Sequence, residues 1–179
     1  MKTLETERLI LKMFTVDDAE DVYAYASNPN VGPPAGWAPH RSVEESREII
    51  ETVFMPPEAW AIRIKGDDRV VGVIALEPDH IRPDANSREL GYNLAEEHWG
   101  KGYMTEAAEE VLRFAFTELG LSQVGICTST VNKRSQRIIE KCGFTYEGTI
   151  RRIYKTYDGT LRDSMVFSML KDEYFQRNA

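Results

Sequence analysis

The chain has 179 residues, 42% of them hydrophobic and 28% charged, with a formal net charge of −7. That length and balance predict a single domain, 1–179, with a real core, and exclude a disordered or fibrous chain. The acidic balance argues against nucleic acid as a partner and favours cationic ones by long-range steering.

The chain opens on MKTLETERLIL, without a secretory leader pattern, so a cytoplasmic location is expected. RLILKMF at 8–14 reads as a first strand. Thr15-Val-Asp-Asp18 is a capping box opening a helix to about Ser27, with Ala19, Val22, Tyr23 and Ala26 on its apolar face. PNVGPPAGWAPHR at 29–41 holds four prolines and two glycines and reads as a loop carrying Trp37 and His40. Ser42-Val-Glu-Glu45 is a second capping box, for a helix to about 54. AWAIRIK at 59–65 and RVVGVIALE at 69–77 predict a hairpin of two strands across GDD. Their longest apolar run, VVGVIAL, is far too short to span a bilayer, so no membrane partner is expected. A polar excursion at 78–87 precedes a strand, RELGYNL, at 88–94.

After EEHWGKGYMTEA at 97–108, Met104, Ala107, Ala108, Val111, Leu112, Ala115 and Leu119 recur at helical spacing until Gly120. QVGICTST at 123–130 predicts a strand, and 134–141 a short helix stopped by Gly143. Two closing strands, about 144–154 and 163–170, are joined at Asp158-Gly159. A strand–helix–strand crossover in this order requires a partly parallel sheet in a mixed α/β domain. Cys127 and Cys142 lie in no CxxC pair and His40, His80 and His98 show no metal spacing, so both cysteines read as small apolar residues and no metal is implied.

Gly100 and Gly102 flank Lys101 just before the clearest helix in the chain. The first turn of a helix leaves N–H groups unpaired, and with the helix dipole they favour an anion, above all a phosphate. Glycines allow close approach, Thr105 adds a hydroxyl and Lys101 a nearby charge. The stretch is no Walker A loop, because Gly102 follows Lys101 and Ala95 stands at the first glycine's place. Nor is it a full GxGxxG, since Thr105 replaces the third glycine. A plain tight turn with a glycine N-terminus remains the simpler alternative.

ELGYNLAEEHWGKGYMTEA, followed by Asn132-x-x-Ser135 and KCGF, resembles the GNAT superfamily of acetyl-CoA-dependent N-acetyltransferases. With the opening LETERLILKMF, it resembles more narrowly the RimJ/RimL-type branch, which acetylates the N-termini of ribosomal proteins. The likeness runs from about residue 3 to 170. It implies a mixed, mostly antiparallel sheet of about seven strands with a splayed parallel pair, flanked by about four helices. It implies acetyl-CoA as cosubstrate, with the pyrophosphate at Trp99-Gly100-Lys101-Gly102-Tyr103-Met104 and Thr105. Gly102 fits the family signature, whereas Trp99 replaces a Gln or Arg and Met104 a small residue. Pantetheine is expected along Tyr92, Asn93 and Leu94, with Asn132 and Ser135 also at the cofactor.

Many relatives carry an acidic tyrosine seven residues after the asparagine; here that place is Ile139. In the RimL-like branch the candidate acid is the serine that corresponds to Ser135, and the candidate base here is Glu89. Trp37 and His40 are expected to bind the acceptor, with His40 a reserve base and Tyr154, Tyr157 and the last hairpin forming an opposite wall. The acceptor is expected to be a protein N-terminus or small amine, the state monomer or homodimer. Alternatives are a polyamine or aminoglycoside acetyltransferase, a non-catalytic acetyl-CoA-binding module, or a nucleotide-binding protein using the same loop.

Overall fold

A computed structural model describes residues 2–55, 59–82 and 86–178. In chain order the strands are β1 (Leu4–Glu5), β2 (Leu9–Lys12), β3 (Ala59–Ile64), β4 (Val70–Pro78), β5 (Ser87–Leu94), β6 (Gln123–Ser129), β7 (Thr145–Lys155) and β8 (Leu161–Leu170). The helices are α1 (Ala19–Ala26), α2 (Gly32–Ala35), α3 (Val43–Ile49, prolonged by a π-helical turn at Ile50–Phe54), α4 (Tyr103–Thr117), α5 (Lys133–Lys141) and α6 (Lys171–Arg177). Among the described residues the strands form one eight-stranded sheet, ordered β1-β2-β3-β4-β5-β6-β8-β7, in which β5 and β6 are the parallel pair.

Both faces of the sheet centre are covered, which is why β3 and β4 read as continuous apolar runs. Trp60, Ile62, Ile74 and Leu76 pack into a core with α4, α5 and α6. Ala59, Ala61, Val73 and Ala75 face the other core, shared with Val22 and Ala26 of α1 and with Ile50. The Ser42 hydroxyl accepts from the Glu45 N–H at 3.2 Å and caps α3. Ser42→Ala is expected to cost about 1 kcal/mol and to lower Tm by about 2–4 °C in thermal unfolding.

The sheet has one strand, and the layers two helices, more than the sequence reading expects. The additions are β1 and two short helices, α2 and α6. Two residues are too few for a strand period to register. In α2, Pro33 and Pro34 fall in the first turn, where a missing N–H costs nothing, so a proline-rich segment expected to be all loop carries a helical turn. Leu119 lies beyond α4 and is exposed, while Tyr25 is buried alongside the predicted face of α1. Residues 83–85 of the polar excursion lie outside the described residues. Among the described residues no helix is long and apolar enough to cross a membrane.

The feature that makes a site is the parting of β5 and β6. They pair only over Ser87–Glu89 against Gln123–Gly125, although β5 runs on to Leu94 and β6 to Ser129. Ala95 N donates to Val71 O at 2.8 Å. Bonded pairs recur every second residue in an antiparallel ladder, so Gly91 and Asn93 spend their main-chain groups on β4, opposite Ala75 and Val73. The main-chain groups of Leu90, Tyr92 and Leu94 therefore face the gap.

Candidate active site

Past β5 the chain makes one 3-10 turn, Glu96–His98, and reaches α4 through Trp99–Gly102. Gly100 and Gly102 are left-handed, with φ of 76° and 84°. Trp99 Nε1 donates to Leu94 O at 2.8 Å, and the Arg134 guanidinium lies 4.0 Å over its ring. The tryptophan thus ties the loop to the strand end. The first α4 hydrogen bond is from Glu106 N to Gly102 O, at 3.0 Å. The N–H groups of Tyr103, Met104 and Thr105 consequently lack acceptors within the helix and are available to an anion.

A cleft of about 390 Å³ opens between this loop, the end of β5 and α5. Tyr92, Asn93 and Leu94 line it from the strand. Trp99, Gly100, Gly102, Tyr103, Met104 and Thr105 line it from the loop and helix start, and Asn132 and Ser135 from α5. Lys101 does not; its carbonyl accepts from Arg8 Nη1 at 3.0 Å, on the outer side of the turn. The cations that do line the cleft are Arg134, Arg137 and Lys141. Sequence reasoning missed them, although their spacing of three and four residues places them on one face of α5.

A second cavity, about 490 Å³, lies on the other side of the parted strands. Glu89 lines it as expected, and so does Glu77, its direct partner across the β4–β5 ladder. Like charges directly opposite one another destabilise a sheet, so this pair is a cost that stability alone does not explain. Glu77 reaches the open rim. Loss of hydration to the surrounding walls, then the Glu89 charge, raise its pKa, with His80 opposing. His80 Nδ1 stands 3.5 Å from Glu89 Oε2. The signal for Glu77 was present: residues 73, 75 and 77 alternate onto one face of β4.

Trp37 and Tyr154 line this cavity, and Arg162 Nη1 ties the hairpin to α2 through Pro33 O at 3.0 Å. Tyr157 lines neither cavity; it is exposed, and its N–H donates to Gly36 O at 2.8 Å. His40 lines neither cavity. It is 8% exposed, with Nδ1 2.8 Å from Ser46 Oγ and its ring 5.4 Å from that of Trp37. Burial lowers its pKa, against Glu45. His40 thus braces Trp37 from behind, which corrects its expected place at the acceptor and as reserve base. Cys127 also faces the cavity, but burial and then the Glu89 charge push its pKa up to about 12, so it stays a thiol.

The two cavities meet. Tyr92, Asn93, Asn132 and Ser135 line both, under Pro34 and Ala35 of α2. Asn132 caps α5, its Oδ1 accepting from Ser135 N at 3.2 Å. Ser135 Oγ is 3.1 Å from the Tyr92 phenol. Asn93 Oδ1 is buried without a hydrogen-bond partner. Among the described residues no group of His, Cys, Asp or Glu could hold a metal ion.

The sheet thus opens between two parallel strands, with a helix start that offers free N–H groups on one side and two carboxylates on the other, an arrangement suited to an enzyme that joins two ligands. Residues 8–145 match the acetyltransferase (GNAT) domain, and the chain belongs to this family of N-acetyltransferases, which use acetyl-CoA. It is 34% identical over 176 residues to the uncharacterized N-acetyltransferase YoaA of Bacillus subtilis (strain 168), covering 94% of this chain and 96% of that one. It is 31% identical to the uncharacterized N-acetyltransferase p20 of Bacillus licheniformis, covering 97% and 99%. The crystal structure of a GNAT-family acetyltransferase from Bacillus anthracis shares the fold, with a TM-score of 0.83 at 23% identity over 96% of this chain and all of that one.

Proposed function

We propose that the enzyme transfers the acetyl group of acetyl-CoA to a primary amine by direct attack, the acceptor being a protein N-terminus, as in the RimJ/RimL-type branch, or a small amine. The meeting of the two cavities at Tyr92, Asn93, Asn132 and Ser135 carries this reading. One cavity offers helix N–H groups and basic side chains to a phosphate-bearing thioester, the other offers Glu77 and Glu89 to a cation, and the two meet at these residues beneath Pro34 and Ala35.

Acetyl-CoA supplies an activated acetyl thioester. The N–H groups at the start of α4, with Arg134, Arg137 and Lys141 on the facing helix, fit its phosphates. The gap-facing N–H groups of Tyr92 and Leu94 are the donors available to its carbonyl. Glu89, directly or through one water, takes the amine proton, and Ser135 gives a proton to the departing sulfur. Freeing an α-amine of pKa 7.7–8.0 at pH 7 costs about 1–1.4 kcal/mol, against about 4.6 for a lysine-type amine. An N-terminal acceptor therefore asks little of the base. The Glu77–Glu89 pair is the observation that favours the second reading, a small polycationic amine.

The test is calorimetric titration with acetyl-CoA, with ATP and NAD as controls, followed by thiol release across a panel of peptides and amines. Binding of acetyl-CoA alone with turnover on any amine supports the reading. Binding without turnover indicates a sensor module, and protection by ATP or NAD alone a nucleotide-binding protein. Within the panel, Glu77→Gln is expected to raise the acceptor KM roughly two- to fivefold, the scale of a partly exposed charge contact, with kcat little changed. Glu77 holds its proton to higher pH than an ordinary glutamate. The wild-type KM is accordingly expected to fall as pH rises just above the usual carboxylate range, and the variant to lose that step.

A further inference from the structure

We infer that Tyr92 is a positioning residue for the acid step, aiming the Ser135 hydroxyl at the departing sulfur. The inference rests on the reading of Ser135 as proton donor. The phenol oxygen lies 3.1 Å from Ser135 Oγ and 3.5 Å from Ser135 O. One residue comes from β5 and the other from the first turn of α5, and both line both cavities.

Either oxygen could donate, but the chemistry chooses. A phenol is the stronger donor and an alkyl alcohol the better acceptor, so Tyr92 donates to Ser135 Oγ. Burial raises the Tyr92 pKa, the Ser135 hydrogen bond opposing, so the phenol keeps its proton and remains a donor. With one lone pair of Oγ engaged, the serine's own O–H is left to turn into the cleft. A serine alone would divide its time among staggered rotamers. Here Asn132 holds the Ser135 N–H and Tyr92 holds Oγ, so both ends of the residue are fixed. Hydrogen bonds in a chain also polarise one another, which makes the Ser135 proton easier to give.

In the step served, nitrogen bonds to the acyl carbon and the C–S bond breaks with its electron pair on sulfur. The amine proton passes to Glu89 or its water, and the Ser135 proton passes to sulfur. Ser135 takes a replacement from water, and Tyr92 keeps its own proton throughout.

The experiment is a double-mutant cycle of Tyr92→Phe and Ser135→Ala, read as the single-turnover rate and, separately, the acetyl-CoA Kd. Tyr92→Phe keeps the ring that packs on the core. It is expected to slow the rate about tenfold, the size of one coupling between hydrogen-bonded side chains, with Kd within about twofold. In the Ser135→Ala background it is expected to change nothing further. Ser135→Thr, which retains a hydroxyl, is expected to recover part of the rate and remain sensitive to Tyr92→Phe. An equal loss from Tyr92→Phe with and without the Ser135 hydroxyl overturns the inference, because a structural role would be additive. So does a loss confined to Kd. If Ser135→Ala slows the rate and Tyr92→Phe does not, Tyr92 alone is removed. If Ser135→Ala keeps the wild-type rate, the reading of Ser135 falls, and the inference with it.

Discussion

Glu89→Gln is expected to slow acetyl transfer at pH 7 about 100-fold, the low end of what a positioned general base contributes. The side chain lines the second cavity with only 20% of its surface exposed, and glutamine fills the same space without accepting a proton. Removing its charge also relieves the repulsion from Glu77 across the ladder, so the variant is expected to melt no lower than wild type. A loss of rate is then not a loss of fold. The pH dependence separates the base from a mere cation contact. Above its own pKa an amine arrives already neutral, and the base is left only the proton that nitrogen sheds as the amide forms. With an α-amine acceptor the deficit is expected to shrink as pH rises past about 8, and with a lysine-type amine only past about 10. With an α-amine acceptor, a deficit constant from pH 6 to 10 would remove Glu89 from deprotonating the incoming ammonium and leave it as a contact for the cation.

Gly102→Val is expected to weaken acetyl-CoA binding about 100-fold, roughly 2.7 kcal/mol, while leaving a folded protein. At φ 84° a branched side chain costs about 1–2 kcal/mol. The added Cβ meets only the far end of Arg8, at 3.3 Å, which can move aside. Relief of the strain turns the peptide planes at the start of α4, and the free N–H groups of Tyr103, Met104 and Thr105 lose their common aim. Calorimetry measures the first effect. Thermal unfolding measures the second, an expected fall in Tm of about 2–8 °C. Unfolding of the variant, with no separate effect on binding in milder Gly102→Ala, would mean that the glycine serves only the turn.

Much of the fold was legible because it is local. Helical spacing from Met104 to Ala115 places α4 within a residue of its observed start, and the Ser42 cap and the glycine stop after α5 fall where side-chain chemistry puts them. The pattern failed where an element is shorter than its own period, as in β1, or where proline reads as a breaker while occupying a first turn, as in α2. The cofactor side of the site was legible in part. Gly100, Gly102 and the helix behind them carry an anion preference in their backbone geometry, but the basic face of α5 went unread beside Asn132 and Ser135.

By itself, then, the sequence determined the layers of the molecule, the glycine turn ahead of α4 and, through resemblance, the chemistry to look for. Only the tertiary structure decided that β5 and β6 part after Glu89, that Glu77 stands against Glu89, that His40 lies behind Trp37 and that Tyr92 reaches Ser135. The reason is physical. Periodicity reports which face of an element is buried, whereas these contacts depend on which strands pair, in what register and for how long. That choice is made by the packing of segments distant in the chain, and no local spacing records it.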